Sequence, residues 1–340
     1  MPSETSIPLL EVKNLTVDFA SIDGRVRVLY DVSLKVNKGE IVGIVGESGS
    51  GKTTLGLSIL RLLDSPPAEV VGGSIIFDGK DLFKVPEDEL WRVRGTGMNM
   101  VFQESLIALN PVYRVESQIG ESIDVLEKSR NASITEEEKQ KEMLNVLKEL
   151  CLDRPEAVLK KYPHELSGGM RQRVSIAMSI VETPKLLILD EPTTGLDAYV
   201  QNRILQIIRK LNHDLGLSII LITHDLTVAS QICERIYVMY AGRVVEVGRS
   251  EQILEEPLHP YSETLLAALP KGFEDSPPLP VPSGEPPDLK HLPNGCKFNP
   301  RCPYVVEICR AKEPELSEFL DRMIACWKYP TNEKVGLKAS

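Results

Sequence analysis

No hydrophobic stretch in this sequence approaches the roughly 18 residues needed to cross a bilayer; Ile219-Ile220-Leu221-Ile222 is about as long as its apolar runs become. The opening Met1-Pro2-Ser3-Glu4-Thr5-Ser6 lacks both a basic n-region and an apolar h-region, so no secretory signal is expected. Basic charge is short as well. The chain has 39 Lys and Arg against 49 Asp and Glu, a formal net charge of −10, which argues against broad electrostatic binding to nucleic acid. No internal repeat or sustained heptad pattern is visible, which removes repeat and coiled-coil architectures. Cysteines number only six, and in a reducing cytosol they do not read as a disulfide scaffold. Cys151 and Cys233 are isolated in helix-like apolar patterns and read as small buried hydrophobes. The other four fall between positions 296 and 326. The expectation is a cytosolic protein whose membrane role, if it has one, comes through a partner.

What is present is a globular composition, 42% hydrophobic and 26% charged over 340 residues. At roughly 150 residues per domain, that length fits about two domains. Leu10–Phe19 and Val26–Val36 read as strands around Asp23-Gly24. The β-branched run Ile41–Val45 reads as a strand buried on both faces, and Thr53–Leu63 as the helix that follows it. Ser74–Phe77, Met98–Phe102, Leu186–Leu189, Ser218–Thr223 and Ile236–Met239 read as further strands, and Ala198–Leu215 as a helix. This rhythm predicts a parallel α/β sheet. It is interrupted from about 105 to 183 by a helical insertion. There Thr135 and Glu138 fit a capping box ahead of the stripe Met143, Val146, Leu147 and Leu150. A shorter helix starts near Asp153-Arg154-Pro155 and must stop by Tyr162-Pro163. From Lys271 to Gly295 come Pro277, Pro278, Pro280, Pro282, Pro286, Pro287 and Pro293, a semi-rigid connector to a small cysteine-bearing tail.

Gly46-Glu47-Ser48-Gly49-Ser50-Gly51-Lys52-Thr53 satisfies G-x4-G-K-[ST], with a buried strand before it and a helix after it. Glycines there let backbone N–H groups turn inward around phosphate oxygens, and the helix N-terminus adds its positive dipole end. Lys52 is the candidate to reach the β- and γ-phosphates, Thr53 to ligate Mg²⁺, and the adjoining Thr54 belongs to the same loop end. Leu186–Leu189 ends in Asp190-Glu191, as a strand does that places one acid on the metal and another beside the attacking water. Asp190 is the candidate metal acid and Glu191 the residue that orients and polarises the water.

With these two motifs, Leu166-Ser167-Gly168-Gly169-Met170-Arg171-Gln172 resembles the signature of ATP-binding cassette (ABC) ATPases over roughly residues 8–250. The resemblance implies that Ser167, Gly168, Gly169 and Gln172 face the γ-phosphate held by another subunit's loop, so that two ATP molecules lie between two head-to-tail ATPase domains. It further implies that Gln103 is the Q-loop residue, touching metal and water. Asp197 of Gly195-Leu196-Asp197 would be in the D-loop, and His224 the switch histidine. The adenine would stack on Phe19, with Tyr30 the alternative. The implied fold is an α/β P-loop ABC ATPase core with N-terminal antiparallel β strands, a helical subdomain insertion, and a small Cys-rich C-terminal extension. Its expected bounds are 8–255 for the nucleotide-binding domain and 256–340 for the extension.

Leu258-His259-Pro260-Tyr261, followed by Thr264, Leu265 and Leu266, resembles the His-Pro-Tyr segment of oligopeptide/dipeptide-type importer ATPases. Gly295-Cys296-Lys297-Phe298, Arg301-Cys302-Pro303, Cys309 and Cys326 strengthen the match, and Met170-Arg171-Gln172-Arg173 is closer to the D-type ATPase than the F-type. The resemblance implies two transmembrane permease subunits and a distinct F-type ATPase partner, with a homodimer as the alternative. It also implies an extracellular substrate-binding protein acting indirectly, no nucleic acid, and a peripheral position on the cytoplasmic face of the membrane. Substrates would be peptides; oligosaccharides or nickel are alternatives, and a soluble non-transport ATPase is a third reading. The spacing C-x5-C-x6-C-x16-C matches neither a zinc ribbon nor a bacterial ferredoxin run. Four thiolates can still surround a soft centre. Related ATPases carry a [4Fe–4S] cluster here, so the resemblance implies one on Cys296, Cys302, Cys309 and Cys326, with zinc as the alternative. The tail is short and poor in aromatics, which leads us to expect a metal centre in place of an apolar core.

Overall fold

Ile41–Val45 forms a strand buried along its whole length, as its β-branched run predicts. The computed structural model describes residues 7–22, 24–103, 108–130, 134–268, 284–285 and 287–329. The chain divides into two units. One comprises Met1–Leu10, Val36–Ile41 and Ile76–Ile222; the other comprises Glu11–Lys35, Val42–Ile75 and Thr223–Ser340. In chain order the strands are β1 (Leu10–Ser21), β2 (Gly24–Val36), β3 (Ile41–Val45), β4 (Ala68–Phe77), β5 (Lys80–Asp81), β6 (Met98–Val101), β7 (Leu186–Asp190), β8 (Ser218–Thr223), β9 (Arg235–Tyr240), β10 (Arg243–Arg249), β11 (Ser317–Phe319) and β12 (Arg322–Ile324).

The first unit is built on parallel strands. Val101 of β6 stands opposite Leu189 of β7, and Asp190 of β7 opposite Ile222 of β8. Every residue of β7 and β8 is buried, the mark of a strand covered on both faces. Between β6 and β7 lie the helices Val115–Arg130, Glu136–Glu149, Pro155–Leu159 and Gly168–Ile180, which are the expected helical insertion. Thr135 and Glu138 close a reciprocal capping box, and Met143, Val146 and Leu147 form the buried stripe. Cys151 departs from expectation: it is half-buried, at φ 53 in the turn beyond that helix rather than within it.

In the second unit β1 lies between β2 and β4, while β3 pairs in parallel with β9, Val45 opposite Val238. The sequence reading of Ser74–Phe77 as a short strand of the parallel sheet is corrected: the strand runs over Ala68–Phe77 and joins the N-terminal strands, its earlier part being missed because Glu69, Val70 and Val71 are exposed and give no buried run to read. The helix after the glycine loop runs only over Lys52–Ile59, since Arg61 turns to φ 53. Four strands have no counterpart in the sequence reading: the two-residue β5, which pairs antiparallel with β4, and three others. β10 pairs antiparallel with β9, β12 with β10, and β11 with β12. β10 bulges between Val244 and Glu246, and the Val245 carbonyl accepts the Ala325 N–H at 2.9 Å, so the tail is stitched to the sheet edge at the bulge. Of the proline run, Pro277, Pro278, Pro280, Pro282 and Pro286 lie outside the described residues. Among the described residues no helix is long and apolar enough to cross a membrane.

Candidate functional site

The glycine loop leaves β3 at Gly46. A Cβ there would stand 2.2 Å from the Met239 carbonyl oxygen, so only glycine lets the loop pass the end of β9. Gly51, at φ 95, precedes the helix, whose first N–H groups have no intrahelical acceptor. Lys52 is 6% exposed, and its ammonium donates to the carbonyls of Gly46 (2.7 Å) and Glu47 (2.9 Å), so the loop curls around its own cation. Ser48, Gly49 and Thr53 are exposed, Glu47 and Thr54 half-buried, and Ser50 buried. The loop therefore folds back on the Lys52 ammonium directly ahead of a helix N-terminus, an arrangement suited to binding phosphate.

Phe19 is half-buried on β1, in the same unit. Tyr30 carries the Arg243 and Arg27 guanidinium groups 4.9 and 5.7 Å from its ring centroid, so its face is already engaged. His224 is exposed directly after β8 and falls in this unit too.

The remaining sequence-predicted residues lie in the other unit. Asp190 ends β7 at 1% exposure, and Glu191 turns to φ 49 with its N–H bonded to the Ile222 carbonyl at 2.9 Å. The Glu191 carboxylate accepts the Thr194 hydroxyl at 2.5 Å. Gln103 follows β6, so it and Asp190 emerge at the carboxyl ends of adjacent parallel strands, where α/β sheets place ligands. Ser167 caps the helix Gly168–Ile180, its hydroxyl accepting the Met170 N–H at 3.4 Å; Gly168 is half-buried and Gln172 buried. A Cβ on Gly169 would lie 2.5 Å from Val200 Cγ1, so this glycine is what allows that helix to approach Ala198–Leu215. The second helix is capped by Asp197, whose carboxylate accepts the Val200 N–H at 2.9 Å.

Cys296, Cys302, Cys309 and Cys326 line one cavity of about 170 Å³, and none is in a disulfide. Burial pushes the Cys296 thiol up to about 11 and Cys326 up to about 12, and raises Cys302. As placed, no group of three or more His, Cys, Asp or Glu side chains among the described residues forms a metal-holding set. The expectation that this tail lacks an apolar core is corrected. Phe298 of the tail is 1% exposed and packs against Tyr240 and Tyr261 at ring distances of 5.2 and 5.5 Å, so this region has an aromatic core shared between the tail and earlier elements.

The family model for ABC transporters matches residues 29–194, and that for the C-terminal region of oligopeptide/dipeptide transporters matches 245–309. The oligopeptide transport ATP-binding protein OppD of Escherichia coli strain K12 is 44% identical over 325 residues, 94% of this chain and 93% of that protein. The dipeptide transport ATP-binding protein DppD of the same strain is 40% identical, covering 96% and 98%. A dimeric bacterial ABC transporter cassette superposes with a TM-score of 0.63 at 29% identity, over 71% of this chain and 98% of that one. The chain belongs to the ABC transporter ATP-binding family. It is an ABC ATPase of the oligopeptide/dipeptide type.

Within this cassette the C-terminal family match has a physical anchor that sequence reading did not supply. Glu246, fully buried on β10, accepts the N–H groups of Leu258 and His259, each at 2.9 Å, and Arg322 Nη1 stands 3.7 Å away. Burial raises the Glu246 carboxyl. His259 Nδ1 in turn accepts the Tyr261 N–H at 3.0 Å and caps the helix Pro260–Ala267, with proline at its first position. Burial holds His259 down to about 3, so the cap is a neutral imidazole. Tyr261 and Arg301 then reach Glu47 in the glycine loop. Neither was singled out for that task, since no local pattern pairs residues so far apart.

Proposed function

We propose that this ATPase is the energising subunit of a peptide importer, docked on the cytoplasmic face of the membrane against two permease subunits. The observation that carries the reading is the Gly46–Thr53 loop curled around Lys52, in a chain similar along nearly its whole length to peptide-transport ATP-binding proteins. Peptides are the favoured substrate, because the relatives are named for oligopeptide and dipeptide transport. A solved cassette described as a dimer with ADP and Pi, 29% identical to this chain, supports a paired ATPase, here with an F-type partner. The nucleotide-binding domain spans 8–255 and the extension 256–340.

Triphosphate enters against the Gly46–Thr54 loop and the helix N-terminus that ends it, with Lys52 compensating its charge and Phe19 stacking on the base. Tyr30 is the weaker platform, its ring being engaged by two arginines. Ser167, Gly168, Gly169, Gln172 and Asp197 of the facing subunit close the site. Oxygen donors suited to a hard cation, Thr53, Gln103 and Asp190, would hold Mg²⁺, which offsets phosphate charge when bound. Glu191 orients the attacking water and draws its proton as the oxygen bonds to the γ-phosphorus and the bond to the β-phosphate oxygen breaks. His224 contacts the γ-phosphate.

Four thiols on one cavity, none in a disulfide, are donors that fit an iron–sulfur centre. We assign Cys296, Cys302, Cys309 and Cys326 to a [4Fe–4S] cluster that braces the extension; zinc is the alternative outcome of its test.

The deciding experiment measures ATP turnover and peptide uptake by the assembled transporter in vesicles. Glu191→Gln is expected to bind MgATP normally while turnover falls by about 100-fold or more. Full turnover in that variant removes Glu191 from its role. Uptake of sugars or nickel in place of peptides would overturn the substrate assignment.

A further inference from the structure

Glu47 is the one acidic residue in the Gly46–Thr53 loop, and it is held at three points. Its N–H donates to the Tyr261 hydroxyl at 2.7 Å, and its carbonyl accepts Lys52 Nζ at 2.9 Å. Its carboxylate is forked by Arg301, with Nη1 to Oε2 at 2.8 Å and Nη2 to Oε1 at 2.9 Å. The Arg301 side chain is 5% exposed and that of Glu47 23%, so water screens the pair little. Arg301 is itself fixed. Its guanidinium lies 5.8 Å from the ring centroids of both Tyr240 and Phe298, and the Arg301 backbone N–H donates to the Phe298 carbonyl at 3.0 Å. A rigid bidentate fork on a loop carboxylate is geometry that Lys cannot reproduce.

We propose that Arg301 is a positioning residue for nucleotide binding: it holds and neutralises the Glu47 carboxylate, so that the loop offers triphosphate its N–H donors and a net positive charge. The proposal rests on the ATPase reading above. Within the loop Glu47 cancels Lys52, and Arg301 restores one positive charge. Without Arg301, a bare carboxylate stands in the loop that must accept a polyanion. The C-terminal extension thereby enters the nucleotide site through charge, and Tyr261 fixes the same residue from its backbone.

The test is calorimetric binding of MgATP and MgADP to the full chain, with thermal melts to check folding. Arg301→Gln is expected to raise both Kd values about tenfold, the scale of exposing one like charge at a partly buried site. Arg301→Lys, which keeps the charge but loses the fork, is expected to be about threefold weaker than wild type. Glu47→Gln, which leaves Arg301 an uncompensated cation beside the loop, is expected to bind more tightly than wild type, and Arg301→Gln with Glu47→Gln to recover to within about twofold of wild type. A purely structural contact would weaken all of these alike. Wild-type affinity in Arg301→Gln, or a double variant as weak as Arg301→Gln, overturns the proposal. If Arg301→Gln does not fold, unchanged affinity in Arg301→Lys or weakened affinity in Glu47→Gln overturns it instead. Failure of the wild-type chain to bind MgATP would sink the ATPase reading rather than this one.

Discussion

The Tyr261 hydroxyl accepts a 2.7 Å hydrogen bond from the Glu47 N–H, joining the His-Pro-Tyr segment to the glycine loop across 214 positions of sequence. Tyr261 is fully buried and packs on Tyr240 with ring centroids 4.5 Å apart, so the hydroxyl has little freedom to move away. Tyr261→Phe keeps the packing and deletes the acceptor. Leaving that N–H unpaired should cost about 1 kcal/mol and raise the KM for ATP severalfold with kcat nearly unchanged. Steady-state kinetics of the assembled transporter check this; an unaltered KM would show the loop indifferent to the contact.

Gly169 and Val200 set how closely two helices of the other unit approach, the space for a Cβ being 2.5 Å from Val200 Cγ1. Gly169→Ala should destabilise by roughly 1–3 kcal/mol through overpacking. Adding Val200→Ala should recover part of that loss. Denaturant midpoints of the single and double variants measure it.

His259 is neutral in the fold, held down to about 3 against an ordinary value of 6.5. Its contribution to stability is complete above pH 6.5 and is lost as pH falls from 6.5 toward 3, because the unfolded chain takes up the proton first. Glu246, raised by burial, works in the opposite sense: its contribution is present below its unfolded value and is lost as pH rises through the folded one. His259→Asn keeps a side-chain acceptor at the helix cap without the titration. Its melting temperature should lie below wild type at pH 7, and that deficit should shrink as the solution is acidified. A deficit that stays constant over pH 4–7 would mean the imidazole titrates freely.

The cysteine cavity makes a fourth expectation. Protein prepared without oxygen should show iron and sulfide in equal amounts with broad visible absorption, and Cys302→Ser should lose most of both. Because burial holds Cys296 near 11 and Cys326 near 12, metal must displace protons there, so reconstitution should improve as pH rises. Stoichiometric zinc without sulfide would instead assign the site to zinc.

Features written in contiguous residues were legible without coordinates. The Thr135–Glu138 capping box, the buried β3, β7 and β8 runs, and the Gly46–Thr53 loop each depend on spacing within a few residues, where backbone geometry leaves few choices. Tertiary structure alone decided the rest. β10 reads poorly as a strand because Glu246 interrupts its apolar run, and β11 and β12 are only three residues each, too short for a period to show. That Gly169 faces Val200, and that Arg301 and Tyr261 converge on Glu47, depend on where a returning chain lands. Loop closure and packing set that, and neither leaves a local signature in the sequence.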